Sequence, residues 1–520
     1  MSINGNTLKE WGWPPGPHFK DALARARSLA AEGLTPDAVR AQLAPDLAAL
    51  TTLLERRAPD PARLGVAMET ATEDERENLE KVRAQMLGMT TIPVVERAAV
   101  LPDACPTGGG EAAITVGGAV AVRGAVIPAA HSADICCSMF CSFFPQTGHS
   151  TAELLDLLQG CTRFGTGGRQ PHEHIHHPVL EEKVWRNPFL AGLEALAKAH
   201  LGDQGDGNHF AFLGTLRLDA EARAAWIAAG YGEWMEALRE DTPYHALVTH
   251  HGSRVLGAQV YKQGLRAAVA QTKRVASDIP PSAAWLDMES DQGRDYWEAL
   301  QYVARWTRAN HEVIHAGFLR KLGLPGASLA FGNEHNFVWR RRDGLYYHGK
   351  GATPAWNGAD GRPLPGLIPL NMASPILLCL GAENEGFLGF APHGAGRNLS
   401  RTALRKRFLN EDGRPDRDRI AAAITNATKD IDVRWWYGRP DLSETPLGYK
   451  DAGAITARIA RFGLGRVCGR IEPLGCIMAG DPGPAPWKAR KKEPSPKQLR
   501  QQAHRADRRR LKQKKWEDGV

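Results

Sequence analysis

The sequence predicts an α+β protein in which one large mixed domain lies between a helical N-terminal extension and a basic C-terminal tail. Two changes of texture carry this prediction. The first stretch is rich in Ala, Leu, Arg and Glu, and from about Ile92 it gives way to short apolar stretches between glycines. After Asp481-Pro-Gly-Pro484 the chain turns to Lys, Arg and Gln. The expected segments are therefore 1–88, 89–482 and 483–520. With 520 residues the chain has ample length for a sizeable core, and 43% hydrophobic residues rule out disorder throughout.

The elements follow in order. The turn-like Trp11-Gly-Trp-Pro-Pro-Gly-Pro17 precedes a helical run reaching to Ala58, and residues 72–85 read as a charged amphipathic helix. In the middle segment Ala119-Val-Ala-Val122 and Ala125-Val-Ile127 predict strands, because β-formers stand between glycine turns. Helical patterns return over 188–201, 220–239 and 296–322. A glycine-rich mix runs on to about Gly480, and there is no internal repeat.

Charge is unevenly placed. The whole chain carries +7, yet residues 484–520 hold thirteen Lys or Arg against four Asp or Glu. The tail is thus +9 and the preceding 483 residues are −2. Such a tail suits a polyanion such as nucleic acid, or is a solvated, partly helical extension. Eight cysteines, two of them adjacent at 136 and 137, do not form a disulfide framework. They point to a reducing, cytoplasmic setting with any special cysteine serving metal or catalysis. No apolar run reaches about 18 residues and the start lacks a secretory pattern, so no membrane partner is expected.

The chemistry concentrates in histidines with glycine, amide or arginine beside them. In Asp134-Ile-Cys-Cys137 a carboxylate and a thiolate three apart can converge on a metal from one turn, the thiolate bridging two ions; a buried structural cysteine is the plain alternative. Gly205-Asp-Gly-Asn-His209 sets an amide beside an imidazole in a loop that backbone can bring close to a ligand. Thr249-His-His-Gly-Ser-Arg254 adds a cation suited to an oxyanion, and Glu334-His-Asn336 supplies one more imidazole. Pro392-His-Gly-Ala-Gly-Arg397, with Ser400 and Arg401 after it, reads as a backbone nest holding phosphate against a histidine, or as a turn before a helix. His311-Glu-Val-Ile-His315 matches the HExxH pattern of zinc hydrolases but no third ligand follows at a familiar spacing. His172, His174, His176 and His177 read as a polar loop.

Taken in order, these segments resemble the RtcB family of RNA-splicing and RNA-repair ligases. The resemblance runs from Leu101-Pro-Asp-Ala-Cys-Pro106 through the segments above and His348-Gly-Lys-Gly-Ala-Thr353 to Gly448-Tyr-Lys-Asp451 and Pro473-Leu-Gly475. It implies a GTP- and manganese-dependent enzyme joining an RNA 3′-phosphate or 2′,3′-cyclic phosphate to a 5′-hydroxyl. It implies further that Asp134, Cys137, His209, His250 and His335 hold two manganese ions, with Cys137 between them. His393 would become a covalent histidine–GMP adduct, oriented by Asp103. Asn208, Asn371, Arg397 and Tyr449 would serve the nucleotide, and Arg254, Lys350 and Arg401 the RNA. Ligand chemistry alone would favour zinc at a Cys and three His, so manganese enters only through the resemblance. An activating protein partner is not identified by it.

The chain departs from the family pattern around the nucleotide. Met478 stands where the family has a lysine, Phe212 where it has an acid, and Cys105 where histidine is usual. Pro369-Leu-Asn-Met-Ala373 carries less glycine than its counterpart, and His131-Ser-Ala133 replaces a glycine-rich approach to Asp134. These departures imply a diverged paralogue with altered guanine selectivity, a narrower substrate or weak activity. The rival readings are a zinc-dependent hydrolase on His311 and His315, and a catalytically weak RNA-binding paralogue.

Overall fold

The computed structural model describes residues 3–13, 17–51, 53–165 and 167–483. The basic tail from 484 onward lies outside the described residues. The chain is mixed α and β, with thirteen α-helices among the described residues and two main sheets.

The larger sheet runs in the order Leu329–Glu334, Ser138–Pro145, Tyr244–His251, Phe210–Arg217, Gly465–Met478, Ile376–Gly381, Pro365–Pro369, with antiparallel neighbours throughout. Asp432–Trp435 adds a parallel partner to Gly465–Met478. The smaller sheet runs Leu64–Val66, Val95–Cys105, Val116–Val122, Tyr346–Lys350, Asn336–Arg340. The central strand Tyr244–His251 is buried along its whole length, which is why its sequence is not a simple polar–apolar alternation.

The 31-residue helix Asp291–Lys321 begins at Ser290, whose hydroxyl accepts from the Gly293 amide, and lies against the helix Arg254–Val275. Its buried face includes Tyr296, Leu300, Val303 and Trp306. Each such side chain contributes roughly 1.5–3 kcal/mol on leaving water. A second core, containing Phe143, Phe212, Trp226, Ile376 and Met478, packs on the larger sheet. Ile3, Leu8, Trp13, Val39 and Leu43 form a separate cluster within the N-terminal helices.

Several elements differ from the sequence reading. Helix Pro36–Thr51 ends before Ala58, and the strand Leu64–Val66 pairs parallel with Val95–Cys105 inside the stretch expected to be helical. The charged helix is Glu73–Met89, capped by Thr72. Over 188–201 only Glu194–His200 is α-helical, and 220–239 is divided at Gly230 into Ala220–Ala228 and Gly232–Ala237. The 22-residue helix Arg254–Val275 was not expected at all.

Candidate active site

The site forms where the chain crosses from one sheet to the other. Glu334 ends a strand of the larger sheet opposite Ser138, and Asn336 begins a strand of the smaller one opposite Lys350. His335 stands between them, and its amide donates to the Cys137 carbonyl at 2.9 Å. The loop carrying Asp134 and Cys137 is held by the Cys136 amide on the Asn336 carbonyl at 2.8 Å and by the Asn336 side-chain amide on the Asp134 carbonyl at 3.3 Å. Ser132, Cys136 and Arg254 all take left-handed backbone here, a costly conformation that clusters at functional sites.

Five expected metal ligands come together. Cys137 Sγ lies 3.1 Å from His250 Nε2 and 3.6 Å from His209 Nε2. His250 Nε2 is 3.2 Å from His335 Nε2, and His209 Nε2 is 2.9 Å from Asp134 Oδ2. The donors form two trios, Cys137–His250–His335 and Asp134–Cys137–His209, which share the thiol.

This donor set fits a pair of cations. His250 Nδ1 donates to the Asn208 carbonyl at 3.2 Å, so its Nε2 carries the lone pair. That lone pair faces His335 Nε2. If His335 is protonated there, its buried Nδ1 is left without a partner; if at Nδ1, two lone pairs oppose each other and a buried donor stands unpaired. A cation held by Cys137, His250 and His335 would remove the conflict. Burial, with neighbouring imidazoles, pushes His250 down to about 3 and His335 well below its usual value, keeping both rings neutral. Burial also works against ionisation of Asp134, but His209 and Arg254 outweigh it and hold the carboxyl down to about 2. Burial, then Asp134, pushes the Cys137 thiol well up, so a bound cation is what would make it a thiolate. Arg254 Nη1 donates to His209 Nδ1 at 3.2 Å, leaving His209 Nε2 to donate to Asp134; a cation held by these two residues would take the place of that proton.

Beside this cluster stands His393, its ring centroid 5.1 Å from that of His335. It follows the short strand Phe390–Pro392. Its Nδ1 donates to Asp103 Oδ2 at 2.5 Å, and its amide reaches the same oxygen at 3.2 Å. Asp103 is fully buried in the strand Val95–Cys105. With Nδ1 protonated, His393 Nε2 is left as the free lone pair. Gly396 allows this approach: at φ +69° it packs so closely that a Cβ would stand 1.9 Å from the Asp103 carbonyl oxygen.

A cavity of about 240 Å³ opens on His393 and is lined by Asn208, Asn371, Arg397, Arg401 and Tyr449, among others. Thus His393 and all four expected nucleotide residues share one space. Arg397 is not free: it bonds the Ser443 carbonyl, approaches Glu444 at 3.5 Å and stacks on Tyr449. Arg401 Nε donates to Glu444 at 2.7 Å. Lys350 does not line the cavity; its Nζ donates to the Ile114 carbonyl at 3.3 Å.

Two residues escaped the sequence reading. Glu444 is buried and gathers Arg397, Arg401 and the Tyr449 hydroxyl. Lys450, also buried, donates from Nζ to the carbonyls of Pro102 and Ala104 at 3.0 and 2.8 Å, on either side of Asp103. Lys450 stands in the quoted Gly448-Tyr-Lys-Asp451 segment, but nothing local marks its partners.

His311 and His315 do not converge on a metal. Thr249 Oγ1 lies between them at 2.6 and 2.8 Å, Ser138 and Ser142 hydroxyls occupy the other ring nitrogens, and Glu312 pairs with Arg308. The HExxH match is a helix face packed on the sheet. His172 and His176 are exposed in a loop around the short turn Pro171–Glu173.

A family model described as tRNA-splicing ligase RtcB matches residues 187–479, more than half of the chain. This chain belongs to the RtcB family. The RNA-splicing ligase RtcB of Escherichia coli (strain K12) is 25% identical over 432 residues, covering 76% of this chain and 93% of that one. The tRNA-splicing ligase RtcB of Methanopyrus kandleri is 26% identical over 342 residues, 58% of this chain and 33% of its own length. That of Archaeoglobus fulgidus is 27% identical over 304 residues, 54% and 59% respectively. The chain thus spans a third and about three-fifths of those two RtcB proteins. The RtcB match takes in His209, His250, His335 and His393, while Asp103, Asp134 and Cys137 precede it.

Proposed function

We propose that this protein is an RNA ligase that joins RNA 3′-phosphate or 2′,3′-cyclic phosphate ends to 5′-hydroxyl ends through a nucleotide held covalently on His393, with GTP and two manganese ions. Its relatives bear the names of RNA- and tRNA-splicing ligases, which supports RNA as the substrate. The observation that carries the reading is the tautomer of His393. Its Nδ1 proton is committed to Asp103, which leaves Nε2 free on a residue that lines a cavity and stands beside two ligand trios that share Cys137.

In this reading His393 Nε2 attacks the α-phosphorus of the triphosphate, and pyrophosphate departs with the electrons of the broken P–O bond. Asp103 keeps the proton on Nδ1 and stabilises the positive charge that the ring gains. A 3′-phosphate oxygen of the RNA then displaces the imidazole at that phosphorus. The 5′-hydroxyl finally attacks the activated 3′-phosphate, releasing GMP; a cyclic end is first opened by water. When bound by Asp134, Cys137 and His209 and by Cys137, His250 and His335, two divalent cations would neutralise charge on the triphosphate and on the RNA phosphate. Asn208, Asn371 and Tyr449 line the nucleotide space. Arg397 and Arg401 reach a phosphate only in competition with Glu444, and Arg254 and Lys350 would steady the RNA backbone.

Incubation of the full chain with α-labelled GTP and manganese should give an acid-labile adduct that His393→Ala lacks. The labelled protein should then ligate RNA with 3′-phosphate and 5′-hydroxyl ends. Ligation undiminished in His393→Ala would overturn the reading.

A further inference from the structure

The cavity beside His393 has two chemically different kinds of lining. One is polar, with Asn208, Arg397, Arg401, Glu444 and Tyr449. The remainder of its wall includes Phe210, Phe212, Met372, Ile376, Cys476 and Met478. Four of these come from two adjacent strands. Phe210 pairs with Met478 and Phe212 with Cys476, and residues opposite one another in an antiparallel pair share a face. The wall is therefore one continuous apolar surface, and it belongs to the core that also holds Trp226 and Val248. The backbone amides and carbonyls behind it are engaged in the sheet.

Among the described residues that line the cavity, Glu444 is the sole carboxylate, and it is occupied by Arg401, Arg397 and the Tyr449 hydroxyl. The Asn371 side-chain oxygen already accepts from the Ala373 amide at 3.0 Å. Guanine carries three N–H donors on N1 and N2 and an acceptor at O6. Set against this wall, those groups would be buried without partners, each at a cost of roughly one to two powers of ten in binding. Adenine has a less polar edge and the same ring area. Pyrimidines would leave part of the space unfilled.

We infer that this cavity selects a purine by shape and apolar contact and not by the hydrogen-bonding edge of guanine, so that ATP serves His393 at least as well as GTP, with Phe212 and Met478 setting the preference. The inference rests on the nucleotidyl-histidine reading above and concerns the base alone. GTP remains a substrate in it, accepted without being singled out.

The test uses full-length protein, manganese and each of the four α-labelled triphosphates, with the His393→Ala protein as the blank. The second-order rate of protein labelling is compared. ATP should label His393 at a rate equal to or above that of GTP, with CTP and UTP at least about tenfold slower. Labelling by GTP at least tenfold faster than by ATP overturns the inference and leaves the ligase reading standing. No labelling by any triphosphate overturns both. In a second arm, Phe212→Glu with Met478→Lys supplies an acceptor for N1–H and N2–H and a donor for O6. This variant, checked for native circular dichroism and melting, should move the GTP:ATP labelling ratio upward by about tenfold or more. A folded variant whose ratio does not move removes these two residues as the determinants. Should the pair fail to fold, Met478→Lys alone is read in the same way.

Discussion

Asp103 Oδ2 accepts two hydrogen bonds from one residue: His393 Nδ1 at 2.5 Å and the His393 amide at 3.2 Å. The carboxylate therefore fixes both the ring tautomer and the backbone on which the ring is mounted, and the other ring nitrogen is left to act.

Asp103→Asn tests this directly. A carboxamide can turn its NH₂ toward Nδ1, which drives the ring proton to Nε2 and removes the free lone pair there. The single-turnover rate of nucleotide transfer to His393 should fall by about 10²- to 10⁴-fold. Bound metal and melting temperature should change little, because neither ligand trio includes Asp103.

Cys137 is the atom common to both trios, whereas His311 is held by Thr249 and Ser138 hydroxyls. Protein dialysed against manganese should hold about two ions per chain by elemental analysis, and Cys137→Ser one or fewer. His311→Gln should leave the count unchanged. Metal lost on His311→Gln and retained on Cys137→Ser would reverse the assignment.

Much of this site was readable as sequence, because His209, His250 and His335 stand in short segments with glycine, asparagine or arginine close by, while Asp134 and Cys137 offered only their spacing of three. The convergence of Asp134, Cys137, His209, His250 and His335 follows from neighbouring strands of the larger sheet that start or finish at the same end of it. What could not be read is contact between distant parts of the chain. Lys450 meets Pro102 and Ala104 across more than 340 positions, and Glu444 gathers Arg397 and Arg401 from another loop. The helix Arg254–Val275 was hidden for a different reason. Gly264 lies at its crossing with the long helix, where a Cβ would stand 2.2 Å from the Tyr296 ring, so a residue that weakens helices locally is required by close packing. The strand Leu64–Val66 is only three residues long, too short for any period to register.

Acid should destabilise the fold through histidines that burial keeps neutral. Burial pushes His131 down to about 4, against Tyr296, His348 and Lys350; burial and the Arg308 charge push His315 down to about 3, against Thr249 and Ser142. In the unfolded chain each titrates near 6.5. The folded values are depressed, so this stabilisation is complete above pH 6.5 and is lost as pH falls toward 4 and then 3. Between those limits the unfolded state binds the extra proton, and each histidine removes about 1.4 kcal/mol per pH unit. From pH 6.5 to 5 the pair should account for roughly 3 kcal/mol, since at pH 6.5 the unfolded rings are only half protonated. His131→Gln with His315→Gln, followed by urea unfolding at the two pH values, should show a correspondingly smaller loss than wild type. Equal losses would mean that these rings already carry protons in the native state.

Lys450 is the residue whose loss should separate positioning from folding. Its ammonium brackets Asp103 by binding the carbonyls on both sides, and its own amide donates to the Gly396 carbonyl at 3.0 Å, in the loop after His393. One residue thus ties the two parts, its side chain holding the strand that carries the carboxylate and its backbone amide the loop that carries the imidazole. Burial pulls its ionisation down to about 8, so the charge is held at some expense near neutral pH, with the Asp103 charge acting against that loss. Lys450→Met keeps most of the volume and removes that charge, while freeing the two carbonyls. Because the Asp103–His393 pair must stay within a few tenths of an ångström to fix the tautomer, the maximal rate of His393 labelling should drop roughly 10- to 100-fold. The triphosphate concentration giving half-maximal rate should stay within about twofold, since Lys450 does not line the cavity. Manganese content should be unchanged as well. A general loosening of the fold would instead raise the half-maximal concentration and release metal together with the rate loss, and that joint change would refute a positioning role.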